Sequence, residues 1–150
     1  FGQNSDSLIV NKKGFLRLHF LIPGLDFEQP FSNNFTFKFA LQSGVAYSSN
    51  FGWDFSPYAT TEQRYYFSFG KKHGLPNRDK YFSTLYLSLQ ENYFFETNEF
   101  LIGTLIGYQF SFARIWYFDI GIGPGYYFKN KDFSSFAVAN FGIGLILDFF

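Results

Sequence analysis

A large apolar side chain stands at every second position along most of this chain, and no other feature constrains the fold as much. Phe35, Phe37, Phe39 and Leu41 share one register, with Thr36, Lys38, Ala40 and Gln42 in the other. Tyr65, Phe67 and Phe69 alternate with Arg64, Tyr66, Ser68 and Gly70, and Leu85, Leu87 and Leu89 with Thr84, Tyr86, Ser88 and Gln90. Further on, Phe100, Ile102, Ile106, Tyr108 and Phe110 oppose Leu101, Gly103, Leu105, Gly107 and Gln109. Trp116, Phe118, Ile120 and Ile122 oppose Tyr117, Asp119, Gly121 and Gly123. The set Phe141, Ile143, Leu145, Leu147 and Phe149 runs against Asn140, Gly142, Gly144, Ile146 and Asp148. Successive side chains of a β-strand point to opposite faces, so each run reads as a strand with one apolar face.

A further strand is expected over residues 15–29, where Leu16, Leu18, Phe20 and Ile22 face away from Arg17 and His19. Its parity shifts at Pro23-Gly24, the signature of a bulge. Short or polar connections are expected near 30–34, 71–80 and 111–114, and longer ones near 48–61, 91–99 and 129–135. Outer-membrane barrels alternate short inner turns with longer outer loops and hold an even number of strands. Ser7–Val10, ahead of the Asn-Lys-Lys-Gly turn, is the one segment left to supply the eighth strand. The expectation is therefore an all-β fold, a transmembrane antiparallel up-and-down β-barrel of eight strands, as one domain over residues 1–150.

Composition decides which face meets which medium. The chain holds 25 Phe, 11 Tyr and 2 Trp, with only 16% charged residues. A soluble barrel with its apolar face inward, as in lipocalins, is the alternative. Eight strands enclose a space that side chains just fill, and so many large residues would overfill it. The opposite register carries small residues such as Gly44, Gly70, Gly103, Gly107, Gly121 and Gly142, which suit a crowded interior. The apolar register of the clear strands holds no charge, as hydrocarbon requires. On this reading the protein sits in a bacterial outer membrane, against outer-membrane lipid and lipopolysaccharide. Zero net charge argues against nucleic acid as a partner. Without cysteine, disulfides and thiolate metal sites are excluded. No run approaches the roughly 20 apolar residues of a membrane helix. The lack of an initiator Met and of a basic start is read as a leader already removed.

Three segments carry a family resemblance. The stretch IPGLDFEQPFSNNFTFKFALQSGVAY, the Gly-rich YFDIGIGPGYYF and the closing FGIGLILDFF resemble the opening hairpin, penultimate strand and last strand of small outer-membrane β-barrels of Bacteroidota, whose architecture is that of the OmpA and OmpX transmembrane barrels. The resemblance implies fold and location, not a reaction. It also implies that a terminal aromatic, Phe149 or Phe150, acts as the insertion signal.

Chemistry is sparse. The expected lumen polar network is Arg17, His19, Asp26, Glu28, Lys38, Arg64, Asp119 and Asp148, paired across strands because unpaired charges in a narrow interior are costly. His19 with a Ser and a carboxylate could form a hydrolase triad acting on lipid A; the plainer reading is a hydrogen-bonded plug residue. A narrow pore is the other alternative. His73 and the basic run Lys71–Lys80 read as a solvated turn or a phosphate-facing patch. Gly-Ile-Gly-Pro-Gly at 121–125 lies in a strand and precedes no helix, so it is no phosphate loop. No cofactor or metal motif is present. Phe51, Trp53, Phe55 and Tyr58 crowd the 48–61 segment, either as an aromatic belt or as a surface for docking a larger outer-membrane complex. The favoured function is thus a non-enzymatic outer-membrane barrel, structural or an accessory subunit of such a complex.

Overall fold

The structure is a computed structural model that describes residues 14–32, 34–48, 52–67, 84–112, 115–129 and 132–147. Among the described residues eight strands form one closed antiparallel barrel in chain order: β1 Phe15–His19, β2 Gly24–Pro30, β3 Phe35–Ser48, β4 Gly52–Tyr66, β5 Thr84–Phe94, β6 Glu99–Phe112, β7 Trp116–Lys129 and β8 Asp132–Leu147. The period-two runs become the strand walls, with apolar residues such as Phe39, Leu41, Leu87 and Ile106 exposed outside and the alternate residues buried inside.

The strand expected over 15–29 is a hairpin instead. Residues 20–23 turn, and Arg17 lies directly opposite Asp26 across it. Pro23 has no N–H to extend a ladder, and its carbonyl accepts from the Ser43 N–H at 2.9 Å. A Cβ on Gly24 would sit 2.5 Å from the Leu41 carbonyl oxygen, so only glycine allows β2 to leave the turn this close to β3. The parity shift was thus a reversal, not a bulge. β1 then closes the barrel against β8, from Leu16↔Leu147 to His19↔Gly144. Closure needs no strand at Ser7–Val10, a segment outside the described residues.

The connections also differ from the expected alternation. Residues 52–58, expected in a long loop, are strand β4 paired with β3 from Ser48 to Gln42. Short connections at 95–98 and 130–131 replace the other two expected loops, Asn98 taking a left-handed φ of 53° in the first. The widest gap between strands, from β4 to β5, falls where a short turn was expected. One ladder lapses within the wall: β6 and β7 pair at Gly103↔Gly125 and again at Ile106↔Ile122, but not between. Pro124 lies in that gap and has no N–H to give.

These findings remove the case for a transmembrane wall. A membrane-crossing strand needs about 9–11 residues, whereas β1 has 5 and β2 has 7. The long connections expected near 48–61, 91–99 and 129–135 are instead largely strand, so the loop pattern that suggested an outer-membrane barrel is lost. Nor is the outward register free of charge: Glu91 continues the line of Leu85, Leu87 and Leu89 and accepts from the Thr61 hydroxyl at 3.0 Å, with Gln63 exposed on β4 beside them. Charged residues on a lipid face are destabilising to a degree set by depth. The core is held by paired buried charges, described below, and calls for no lipid around it. The transmembrane fold class, the outer-membrane location, the contacts with lipid and lipopolysaccharide and the kinship with the OmpA- and OmpX-like barrels of Bacteroidota are therefore not retained. The role as accessory subunit of an outer-membrane complex falls with them.

Candidate functional site

The interior has two tiers. Near Val138, a small apolar cluster of Leu101, Leu105 and Val138 packs with Phe94 and Tyr127. The other tier is charged and is built around two guanidinium groups. Strand register explains how they get there: Arg17 is inward on β1 between Phe15 and His19, and Arg64 is inward on β4 between Glu62 and Tyr66.

Arg17 donates to Asp26 at 2.7 Å, Glu28 at 2.6 Å and the Gln109 side-chain oxygen at 2.8 Å. Arg64 donates to the same Gln109 oxygen at 2.7 Å, to Glu62 at 2.8 Å and to Asp119 at 2.6 Å. A single amide oxygen thus bridges two like charges that would otherwise repel. Lys38 completes the set against Glu62 at 2.8 Å. Tyr66 and Thr36 donate to Glu28, and Tyr86 donates to Asp119 at 2.6 Å. The Tyr86 ring also lies under the Arg64 guanidinium, 4.2 Å from its centroid.

The electrostatics follow from this pairing. Burial alone would raise the Asp26 carboxyl, but Arg17, the hydrogen bond with His19 and Lys38 outweigh it and hold the group well below the usual carboxylate range. Burial likewise opposes ionisation of Glu62, and Arg64 and Lys38 overcome it, bringing it down to about 2. His19 is lowered, chiefly by burial, despite its contact with Asp26. Burial pushes the Tyr66 and Tyr86 phenols well up, so both remain donors.

Of the residues expected in this network, Arg17, His19, Asp26, Glu28, Lys38, Arg64 and Asp119 are all buried and in mutual contact. Asp148 lies outside the described residues. Glu62 is absent from the expected network because the alternation is legible only from Arg64 onward, although Glu62 stands two residues earlier in the same register. Gln109 was placed inward but given no role. Phe51, Phe149, Phe150 and His73 lie outside the described residues, as does the Lys71–Lys80 run. Trp53 and Phe55 belong to β4, and Tyr58 is half-buried with its ring 5.3 Å from that of Phe94.

Neither alternative chemistry survives. His19 shares one ring nitrogen with Asp26 at 2.5 Å and the other with the Tyr117 hydroxyl at 2.5 Å. Its partners are a carboxylate and a phenol, so the serine of a hydrolase triad has no free ring nitrogen to bond. A conducting pore is excluded by the two guanidiniums and three tyrosines, all fully buried, that fill the cross-section. Among the described residues no three His, Asp or Glu side chains are placed to hold a metal ion.

Four buried polar atoms on neighbouring positions of β4 and β5 have no hydrogen-bond partner among the described residues: Glu62 Oε1 and Gln90 Oε1 on directly opposed residues, Arg64 Nε and Ser88 Oγ on the next inward pair. A buried hydroxyl without a partner costs about 1–3 kcal/mol. Ser88→Ala is therefore expected to raise the denaturant midpoint, by about 1 kcal/mol of stability. A loss of that size in urea unfolding would show instead that the hydroxyl is engaged. Compared with family models, curated proteins and solved structures, the chain matches none.

Proposed function

We propose that this barrel is a non-catalytic binding protein, whose interior is a structural plug and whose working surface is its wall. The observation that carries this reading is His19, 5% exposed and engaged at both ring nitrogens. A general base needs a free nitrogen within reach of a substrate proton, and this imidazole has none. The charges around it pair with one another: Arg17, Lys38 and Arg64 face Asp26, Glu28, Glu62 and Asp119 at ion-pair distance, and the carboxylate in excess is met by hydroxyl donors from Thr36, Tyr66 and Tyr86. Such a network orders the core, and both oxygens of Asp26 and of Glu28, the carboxylates beside His19 and Arg17, are taken up by protein donors.

Diethyl pyrocarbonate, which modifies accessible neutral imidazole, tests this. In the folded protein His19 should be modified no faster than the chain unfolds, and readily in denaturant, as read by peptide mass spectrometry. Modification at the rate of a free histidine would mean an interior open to small molecules, and the reading would fall.

A further inference from the structure

The barrel wall is uneven in height. β1 and β2 end at a turn over residues 20–23, while their neighbours continue. β8 pairs with β1 only from Gly144 to Leu147, yet it begins at Asp132. β3 pairs with β2 only up to Gln42, yet it runs to Ser48. Above the short hairpin there is thus a notch, with a strand edge on either side that none of the described residues pairs.

Hydrogen-bond alternation identifies the groups that face it. In an antiparallel ladder, consecutive residues point their N–H and C=O to opposite neighbours. Phe20 N–H bonds the Ile143 carbonyl at 3.1 Å, whereas Ile146 N–H bonds the Ile115 carbonyl on the β7 side. Odd residues of β8 therefore serve the β1 side and even residues serve β7. Beyond Ile143, the N–H and C=O groups of Phe133, Ser135, Ala137, Ala139 and Phe141 point into the notch, and none of the described residues pairs with them. By the same logic Val45 and Tyr47 face it from β3, since Ser43 N–H bonds Pro23 on the β2 side.

We infer that the β8 edge is a strand-addition site that takes an extended peptide segment of a partner protein, running antiparallel to β8 in line with β1. This inference rests on the binding role proposed above and names its site. A row of alternating bare donors and acceptors is matched by extended backbone and by little else. Width selects among possible occupants. Two strands separate β8 from β3 below the notch, so three strand spacings, roughly 14 Å, separate the edges. A single strand or a hairpin fits this gap, but the wall of a second barrel does not.

The side chains set the preferred sequence. Residues directly opposite Ala137 and Ala139 would share their outward face, where these two alanines are small and exposed and Ile122 stands beside Ala139. Large β-branched residues fit there. Residues opposite Val138 and Asn140 point inward, beside one apolar and one half-buried polar neighbour, where a small side chain with a methyl and a hydroxyl, such as threonine, fits. The edge therefore favours a peptide of about nine residues that alternates β-branched apolar with small polar residues.

The test is residue-resolved amide hydrogen exchange, with and without a blocked peptide alternating valine and threonine, capped by lysine at each end. Free protein should exchange quickly at Ser135, Ala137, Ala139 and Phe141 and slowly at Val138 and Asn140. Saturating peptide should slow the odd set at least tenfold and leave the even set unchanged. Ala137→Pro provides the control, because the lost N–H faces the notch and the β7 ladder is untouched. The variant should fold and lose the peptide's protection. No slowing of the odd set in the wild-type protein, or equal protection in the variant, overturns the inference. So does protection that rises with protein concentration alone, which would make the occupant a second copy. A sealed His19 with an inert edge would refute this site alone, while a reactive His19 would refute the binding role itself.

Discussion

Arg64→Met is expected to lower stability by about 3–5 kcal/mol, the usual cost of stranding buried partners of a lost charge. The side chain is fully buried and holds Glu62, Asp119 and Gln109 at once. Its partners do not suffer equally. Glu62 keeps Lys38 and Gln109 keeps Arg17, whereas Asp119 retains only the Tyr86 hydroxyl among the contacts described above. Adding Asp119→Asn should therefore recover about 1 kcal/mol or more, by removing the stranded charge. Equilibrium unfolding in urea gives both numbers. A single-variant cost below 1 kcal/mol, or a double variant weaker than the single, would show that the network contributes little to holding the barrel together.

Acid is expected to unfold the barrel by several kcal/mol, through the same groups. Asp26 and Glu62 have folded values depressed below their ordinary 3.8 and 4.5, so at low pH the unfolded chain binds more protons than the folded one. Their contribution is fully present above pH 4.5 and is lost as pH falls towards 2, by about 2–3 kcal/mol for each group. His19 adds to this in the same direction. Burial lowers it from 6.5, so the unfolded chain takes up that proton first and stability begins to decline below pH 6.5. Urea midpoints measured from pH 8 to pH 3 should stay level at first, sag below 6.5 and drop steeply below 4.5. Asp26→Asn should flatten the lower part of that curve. A midpoint that does not change down to pH 3 would contradict the arrangement of buried carboxylates.

Much of the barrel was legible in the residues themselves. Alternation at Phe35–Leu41 or Leu85–Leu89 depends only on the two-residue period of a strand, so facing and approximate span could be read without knowing any partner. The inward set followed by parity, which is how Arg17, Asp26 and Arg64 could be named together. Glu62 was lost through a boundary error and not through a different physics. Polar and aromatic residues at 52–61 resemble a loop when read alone, and only their pairing with β3 shows that the strand continues. The turn at Phe20–Pro23 was concealed in the opposite way. Its residues are nearly all apolar, and the one local mark, Pro23-Gly24 with its parity shift, suits a bulge as well as a reversal.

Side-chain alternation is a local property of extended backbone, so the residues alone carried the all-β character of the chain, the two faces of its strands and the identity of most of the buried charges. The fold as a whole decided the rest: that 15–29 is two short strands, that Gln109 reaches between Arg17 and Arg64 from 92 and 45 residues away, and that none of the described residues pairs with the β8 edge above the hairpin. Each of these depends on register between strands, and register is fixed only when the whole barrel closes and every inward charge must find its partner at once.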